Sequence, residues 1–251
     1  MAGFHAKAAA ADSLKTNLRD KKPDQIRDPA SFSAFKFQLY DLNSLEFKNI
    51  TVAHSDKVIL QNVSFNIKKG DKVLIIAPSG WGKTTLLNTL LGNMDIKEGD
   101  YLINGNSIGN VLKDVHNYFS YINQEPKLLD DTILYNITLG CRDSEDRLNS
   151  IIEKAGLVDL IKEKGLTFKV GKLGNNLSGG QKQRIEIARA LFFNRSVILA
   201  DEATASLDPL LSKTIHDTFK KYNGTLIEVA HHLTAEEKTI FNKIIDFRNN
   251  N

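Results

Sequence analysis

One short segment of the sequence combines glycines with a lysine and a threonine in a spacing that suits phosphate binding. Ala77–Thr84 reads APSGWGKT and lies between an apolar strand-like run and a helix-like run. Glycines let successive backbone N–H groups curl around phosphate oxygens, and the positive end of the following helix attracts the same anion. The Lys83 ammonium would reach the β- and γ-phosphates, and the Thr84 hydroxyl would be a ligand of Mg²⁺. The residues predicted to bind the nucleotide here are Ser79, Gly80, Trp81, Gly82, Lys83, Thr84 and Thr85.

This loop departs from the usual pattern at two positions. The first position is normally glycine, and here it is Ala77, which suits the loop only if its φ is negative. Trp81 is bulky for such a loop, so we expect its side chain to point outward.

Two acidic residues follow an apolar run later in the chain. Val197–Ala200 is followed directly by Asp201 and Glu202. In a parallel sheet, ligand groups lie at the carboxyl ends of the strands. Asp201 would there support Mg²⁺, typically through water, and Glu202 would lie beside the γ-phosphate and polarise the attacking water. Together with the phosphate loop, these acids predict the second half of an ATP-hydrolysing site.

A third motif resembles a known family. The sequence LSGGQ at 177–181 resembles the signature of ABC (ATP-binding cassette) ATPases, and it lies between the phosphate loop and the acids, as in that family. A glycine pair that opens a helix makes a second anion-binding terminus. The resemblance implies a head-to-tail dimer, in which Ser178 and Gly180 of one subunit face the γ-phosphate held by Lys83 of the other. The signature residues predicted to contact the nucleotide are Ser178, Gly179, Gly180 and Gln181.

The resemblance also implies roles for single residues elsewhere. Gln124 matches the glutamine that contacts Mg²⁺ or water and senses the γ-phosphate, and Asp208 matches the aspartate of the family's D-loop. His231 matches the switch histidine, whose imidazole can hydrogen-bond the γ-phosphate and the water. His54 lies where the family usually has an aromatic residue that stacks on adenine; it either stacks there or is a plain loop histidine. The predicted catalytic residues are Glu202, His231 and Gln124, and the predicted metal ligands are Thr84, Gln124 and Asp201.

Two further stretches resemble the exporter type of cassette. One is Gln124–Leu129 with Thr132–Ile137, and the other is Val170–Gly174, just before the signature. The second stretch usually carries an acidic residue where Lys172 stands, so the family's coupling contacts with a partner are not carried over to this position. The resemblance therefore implies the transmembrane domain of an exporter as a partner, at the cytoplasmic face of the cell membrane. It also implies a second nucleotide-binding domain, identical or different, and no nucleic acid.

Composition sets wider limits on these interpretations. The chain has 251 residues, of which 41% are hydrophobic and 25% charged, with a net charge of +3 and one cysteine. These values are ordinary for a soluble globular protein, and the small charge argues neither for nor against nucleic acid or an anionic membrane. The longest apolar stretches are far shorter than the roughly 20 residues of a spanning helix. We therefore expect the chain to be soluble by itself and to reach a membrane through its partner.

The elements that must position these motifs alternate between strands and helices. The predicted strands are Ser44–Val52, Asn62–Ile67, Lys72–Ala77, Tyr101–Ile103, Tyr118–Ile122, Val197–Ala200, Thr225–Ala230 and Lys243–Phe247. The predicted helical segments are Lys83–Leu91, most of 132–165, a helix from near Ser178, Pro209–Tyr222 and Ala235–Phe241. The helix from near Ser178 is predicted to carry Ile185, Ala188, Leu191 and Phe192 on one apolar face. This alternation predicts an α/β fold with a mainly parallel sheet.

The resemblance adds detail to this fold class. It implies a P-loop NTPase core, an antiparallel β subdomain and a helical signature subdomain over about residues 125–180. We expect the ATPase domain to span residues 44–251. Residues 1–43, which Pro23 and Pro29 interrupt, are interpreted as a tail or linker.

Two alternative functions remain open. A soluble ABC ATPase of DNA repair or translation would be expected to carry a coiled-coil insertion, a second cassette or a basic stripe, and the sequence shows none of them. A regulatory module that binds nucleotide but hydrolyses it poorly would suit Ala77 and His54. The intact lysine, acids and switch histidine instead indicate hydrolysis.

Overall fold

The computed structural model describes residues 40–55, 57–108, 112–230 and 233–248. Within this part of the chain the strands are β1 (Ser44–His54), β2 (Lys57–Lys68), β3 (Lys72–Ile76), β4 (Glu98–Ile103), β5 (Asn106–Ser107), β6 (Phe119–Ile122), β7 (Val197–Asp201), β8 (Thr225–Val229) and β9 (Lys243–Asp246). The α-helices are α1 (Lys83–Leu90), α2 (Ile133–Thr138), α3 (Glu145–Lys154), α4 (Val158–Lys164), α5 (Gly179–Phe193), α6 (Pro209–Lys221) and α7 (Ala235–Lys238). Short 3-10 helices cover Leu112–Tyr118 and Lys172–Gly174.

A parallel sheet forms the centre of the fold, as predicted. Its strand order is β6-β7-β8-β3-β9, and every neighbouring pair is parallel. All residues of β3 and β8 are buried, which is the pattern of strands covered on both faces. Because the strands run in one direction, their carboxyl ends meet at one edge of the sheet. The phosphate loop, Gln124 and Glu202 all follow strands at that edge.

A second sheet is antiparallel, with the order β2-β1-β4-β5, so the antiparallel β subdomain is present. Its aromatic side chains join the main core. The ring of Phe47 lies 4.7 Å from that of Tyr101 and 4.7 Å from that of Phe65. Tyr101 also donates a hydrogen bond from its hydroxyl to the carbonyl of Leu90 at the end of α1 (3.0 Å). This contact ties the antiparallel sheet to the helix that follows the phosphate loop.

The segment between β6 and β7 is helical and ends with α5. The predicted apolar face of α5 is confirmed, since its members are all buried: Ile185, Ala188, Leu191 and Phe192. The helical stretch predicted over 132–165 is divided into three helices. Leu139 adopts a left-handed conformation with φ of 49° at the end of α2, and Gly156 does the same after α3 with φ of 65°. Each ends its helix because a left-handed residue cannot continue it.

Several element boundaries differ from the predictions. Strands β1 and β2 are longer than expected and meet near Ser55, whose φ is 52°. The last helix ends at Lys238 rather than Phe241, because Ile240 and Phe241 turn into the core. No helix of the described ranges is long and apolar enough to cross a membrane. Residues 1–39 of the predicted tail lie outside the described part of the chain, and so does His231.

Candidate active site

The phosphate loop joins β3 to α1, and two glycines determine its shape. Gly80 has φ of 77° and Gly82 has φ of 108°, a region that side chains other than glycine rarely adopt. A Cβ at Gly82 would lie 3.0 Å from Leu60 Cδ2 and 3.4 Å from the Ile59 carbonyl oxygen. The Trp81 N–H donates to the Pro78 carbonyl (3.3 Å). Only glycine therefore fits at the last position before the helix.

The two departures from the usual loop pattern are accommodated. Ala77 is buried and has no positive φ, as the loop requires. The indole of Trp81 is half-buried and stacks on Phe247, with ring centroids 4.2 Å apart and planes 19° apart. Phe247 is held in turn by its N–H, which donates to the Ile76 carbonyl (2.8 Å). The bulky ring thus packs beside the last strand and does not line the cavity of the loop.

A cavity of about 380 Å³ opens at the carboxyl edge of the parallel sheet. Its lining comes from three separate segments: Ser79, Gly80, Gly82, Lys83, Thr84, Gln124, Asp201 and Glu202. The Lys83 ammonium donates to the carbonyls of Pro78 (3.1 Å) and Ala77 (3.3 Å), so it lies within the loop. The volume is in the range of small-molecule sites. The structure therefore brings the predicted loop, glutamine and acids together.

Glu202 has an unusual backbone at this cavity. Its φ is 49°, and its N–H donates to the Val229 carbonyl at the end of β8 (2.9 Å). Gln124 donates from Nε2 to Glu202 Oε2 (3.1 Å). A non-glycine residue in the left-handed region costs free energy and is found most often at functional sites. The β8 contact and the strained backbone together direct this carboxylate towards Gln124.

Asp201 has a neighbour that the sequence analysis missed. The Tyr121 hydroxyl, on β6, donates to Asp201 Oδ2 (3.4 Å). Burial and the Asp201 carboxylate raise the pKa of Tyr121 well above its usual value, so the phenol stays protonated and acts as a donor. Thr84, Gln124 and Asp201 then offer only oxygen ligands, the donor set that Mg²⁺ prefers. The residues present at the cavity fit this ion.

The signature forms the start of α5. Ser178 is its N-cap, and its Oγ accepts from the Gln181 N–H (3.3 Å) while Gln181 Oε1 accepts from the Ser178 N–H (2.9 Å). This reciprocal pair is a capping box. Position 180 lies close to the segment before α6, because a Cβ there would be 3.3 Å from the Ser206 carbonyl oxygen. Asp208 caps α6 by accepting from the Leu211 N–H (3.0 Å).

Several predicted site residues do not line the cavity of their own chain. These are His54, Trp81, Thr85, Ser178, Gly179, Gly180, Gln181 and Asp208. His54 is exposed at the end of β1, and Ser178 and Gly179 are exposed at the start of α5. Their contacts with a nucleotide stay predictions, as does the role of His231, which lies outside the described residues.

Two buried polar residues of α5 hold the segment that carries Gln124. Glu186 Oε2 accepts from the Asn123 N–H (2.9 Å), and Gln183 Nε2 donates to the Asn123 carbonyl (3.2 Å). Burial raises the pKa of Glu186, although the Asn123 N–H and Arg189 oppose this. The signal for these residues was present in the sequence, because Gln183 and Glu186 interrupt the apolar pattern of the buried helix face.

The fold and the cavity define a P-loop ATPase with an ABC-type signature. The sequence model of the ABC transporter family matches residues 60–205, and the chain belongs to that family. Its parallel and antiparallel sheets form the ABC ATPase fold. Membership of this family implies that the chain binds ATP.

Two relatives and one solved structure show which members of the family this chain is similar to. The chain is 36% identical over 212 residues to the mitochondrial iron-sulfur clusters transporter ATM1 of Debaryomyces hansenii, covering 79% of this chain and 30% of that protein. It is 31% identical over 254 residues to the ATP-dependent lipid A-core flippase of Haemophilus influenzae, covering 98% of this chain and 42% of that protein. A solved structure of a bacterial Atm1-family ABC exporter with ATP bound aligns with a TM-score of 0.75 and 31% identity, over 83% of this chain and 38% of that chain. The chain thus spans less than half the length of these relatives.

Proposed function

We propose that this chain binds MgATP and hydrolyses it in a head-to-tail dimer, and that this drives export through a transmembrane partner at the cytoplasmic face of a membrane. The observation that supports hydrolysis is the cavity in which Lys83, Gln124 and Glu202 come together at the edge of the parallel sheet. The described strands and helices between Ser44 and Asp246 support an ATPase domain over 44–251.

Each residue of the cavity has a chemical task in this proposal. Lys83 binds the β- and γ-phosphates, and Thr84, Gln124 and Asp201 hold Mg²⁺. When bound, Mg²⁺ supplies positive charge that stabilises the phosphate oxygens during transfer. Glu202 accepts a hydrogen bond from the attacking water, and Gln124 keeps that carboxylate in place through the 3.1 Å contact. His231 would complete the site as a donor to the γ-phosphate.

The position of the signature supports a dimer. Ser178 and Gly179 are exposed at the first turn of a helix of 15 residues, and neither lines the cavity of its own chain. A helix start of this kind attracts anions. A second cassette, identical or different, would offer its Ser178 and Gly180, or their equivalents, to the γ-phosphate held by Lys83.

Exposed apolar side chains support a protein partner beside the helical region. Leu129 is 50% exposed and Leu173 is 61% exposed, and both lie in the stretches that resemble exporter-type cassettes. Large apolar side chains on a surface are a feature of interaction sites. The relatives named above are a transporter, a flippase and an exporter, and the proposal extends transport to this chain.

Nucleotide binding is tested by comparing Lys83→Ala with Lys220→Ala, which removes an exposed lysine of α6. Calorimetry should show that Lys83→Ala weakens MgATP binding by about tenfold or more, because a charge-assisted hydrogen bond is worth ~1.5–3 kcal/mol. Lys220→Ala should bind as the wild type does. Equal dissociation constants for the two variants would contradict the assignment of the phosphate loop.

A further inference from the structure

A buried acid lies on the central strand of the parallel sheet and is not among the residues that line the cavity. Glu228 of β8 has no solvent exposure, and neither of its carboxylate oxygens has a hydrogen-bond partner among the described residues. A buried carboxylate without hydrogen bonds is costly unless it is paired. The paired group is His216 of α6, whose Nε2 lies 3.6 Å from Glu228 Oε1.

The imidazole of His216 lies between two carboxylates. Its Nδ1 is 3.3 Å from Oε1 of Glu237, which belongs to α7, and its side chain is only 3% exposed. Ser212, one turn earlier on α6, donates to the same Glu237 oxygen (2.7 Å). Burial alone would lower the pKa of His216, but Glu228 and Glu237 outweigh it and raise this pKa. The two acids therefore favour the charged form of the ring.

The two acids lie on either side of one short segment of the chain. Glu228 is the fourth residue of β8, and Ala230 follows the end of that strand. Glu237 belongs to the first turn of α7 and accepts from the N–H of Thr234, the N-cap of that helix (2.8 Å). His231, the predicted switch histidine, falls between these two points in the sequence. His216 thus connects the strand before this segment to the helix after it.

We propose that charged His216 is a positioning residue for ATP hydrolysis. By attracting Glu228 and Glu237 together, it fixes the end of β8 and the start of α7 against α6. At that end of β8 the Val229 carbonyl accepts from the Glu202 N–H. This inference rests on the proposed ATPase function. It goes beyond that function because it states that a buried ion pair outside the cavity influences the rate of turnover.

A packing role and a positioning role predict different results for a double substitution. Replacing both members of a buried ion pair by apolar residues of similar volume is often neutral or stabilising, whereas removing one member is costly. The variant His216→Leu/Glu228→Leu in the full chain should therefore stay folded. If the pair only fills the core, this variant should also keep wild-type turnover.

If the pair positions the end of β8 and the start of α7, the double variant should bind ATP with an unchanged dissociation constant. It should turn over about 10- to 100-fold more slowly, the cost of a misplaced reacting group. Hydrogen exchange should be faster in the peptides that cover residues 228–237. The matched control is Lys72→Met, at the edge of the sheet where the parallel strands begin. It removes a buried ammonium that donates to the Tyr222 carbonyl (2.7 Å). That control should lose stability without losing turnover.

The pH profile gives an independent readout. Because the folded pKa of His216 is raised, the charge is present at low pH and is lost as pH rises through that pKa. Wild-type kcat should therefore fall as pH rises through this pKa, which gives the pH profile a descending limb. The variant Glu228→Gln, which keeps the shape of the side chain, should move the limb to lower pH because it removes one of the two acids that raise the pKa. The double variant should lack the limb.

Wild-type kcat and wild-type exchange in the double variant would overturn the inference, and so would an unmoved pH limb in Glu228→Gln. A wild-type chain that binds ATP but never hydrolyses it would contradict the proposed function instead. In that case the exchange comparison still decides whether His216 holds the two flanks of the segment.

Discussion

The carboxylate of Glu202 is held by two constraints of different kinds. Its backbone is left-handed with φ of 49°, and its side chain accepts from Gln124. A strained conformation of this sort persists only where the surroundings impose it, and here the Val229 carbonyl does so through the Glu202 N–H. The geometry suits a residue that must present an oxygen to a water molecule in one direction.

We expect Glu202→Gln to keep MgATP binding within about twofold but to lower kcat by about 100-fold or more, in the range of a lost general base. The amide is nearly the same size, but it cannot accept a proton and holds a hydrogen bond from water less strongly. Single-turnover ATPase assays measure the effect, with Glu153→Gln on the exposed face of α3 as a control. Turnover within a few-fold of the wild type would remove Glu202 from the catalytic role.

Gly82 gives a prediction about the shape of the loop. In Gly82→Ala the new methyl group would lie 3.0 Å from Leu60 in a residue with φ of 108°, so we expect the variant to lose about 1–3 kcal/mol of unfolding free energy together with most of its ATP affinity. Gly105→Ala is the control, because its φ is also positive at 79° but nothing lies within 4 Å of the new Cβ. Thermal unfolding and ATP titration of both variants separate backbone strain from loss of the site. Normal ATP affinity in Gly82→Ala would show that the loop tolerates a side chain there.

The sequence predicted the chemistry of single residues where that chemistry depends on residue type alone. A lysine and a threonine after closely spaced glycines, and two acids after an apolar run, predicted the lining of the cavity. The stack of Trp81 on Phe247 was not predictable, because it depends on β9 pairing beside β3. The same holds for the Tyr121 contact with Asp201, which requires β6 and β7 to be neighbours.

At the scale of elements, periodicity predicted the strands of the parallel sheet and the buried face of α5. It did not separate the three helices of 132–165, since Leu139 is a strong helix former that here takes a left-handed conformation. It also could not show why α5 buries Gln183 and Glu186. Their partner is Asn123, about 60 residues earlier, so only the tertiary structure reveals that the signature helix holds the glutamine segment.

We predict that Glu186→Leu lowers both stability and turnover. The substitution leaves the buried N–H of Asn123 without its acceptor, which costs about 1–3 kcal/mol, and it frees the backbone next to Gln124. Glu186→Gln keeps an acceptor oxygen and should recover most of the loss. Denaturant unfolding and kcat are measured on both variants. Identical kcat for Glu186→Leu and the wild type would show that α5 does not set the position of Gln124.

At the scale of the whole molecule, the parts of the proposed site lie in two places. The loop, the glutamine and the acids share one cavity, whereas the signature is exposed elsewhere on the same chain. The sequence predicted this separation only through the resemblance, because motif order by itself contains no distances. In the proposed function, a complete site therefore requires a second copy or a related cassette.

The most direct test is an activity titration of wild type, Lys83→Ala, Ser178→Arg and an equal mixture of the two variants. Each variant alone should be nearly inactive, and Ser178→Arg should still bind ATP, because the new side chain blocks only the partner's nucleotide. In a mixed pair, one composite site contains an intact Lys83 and an intact Ser178, so the mixture should regain activity. The wild-type rate should rise faster than linearly with protein concentration. A strictly linear wild-type rate with no recovery in the mixture would mean that one subunit hydrolyses ATP alone, and would rule out the proposed head-to-tail dimer.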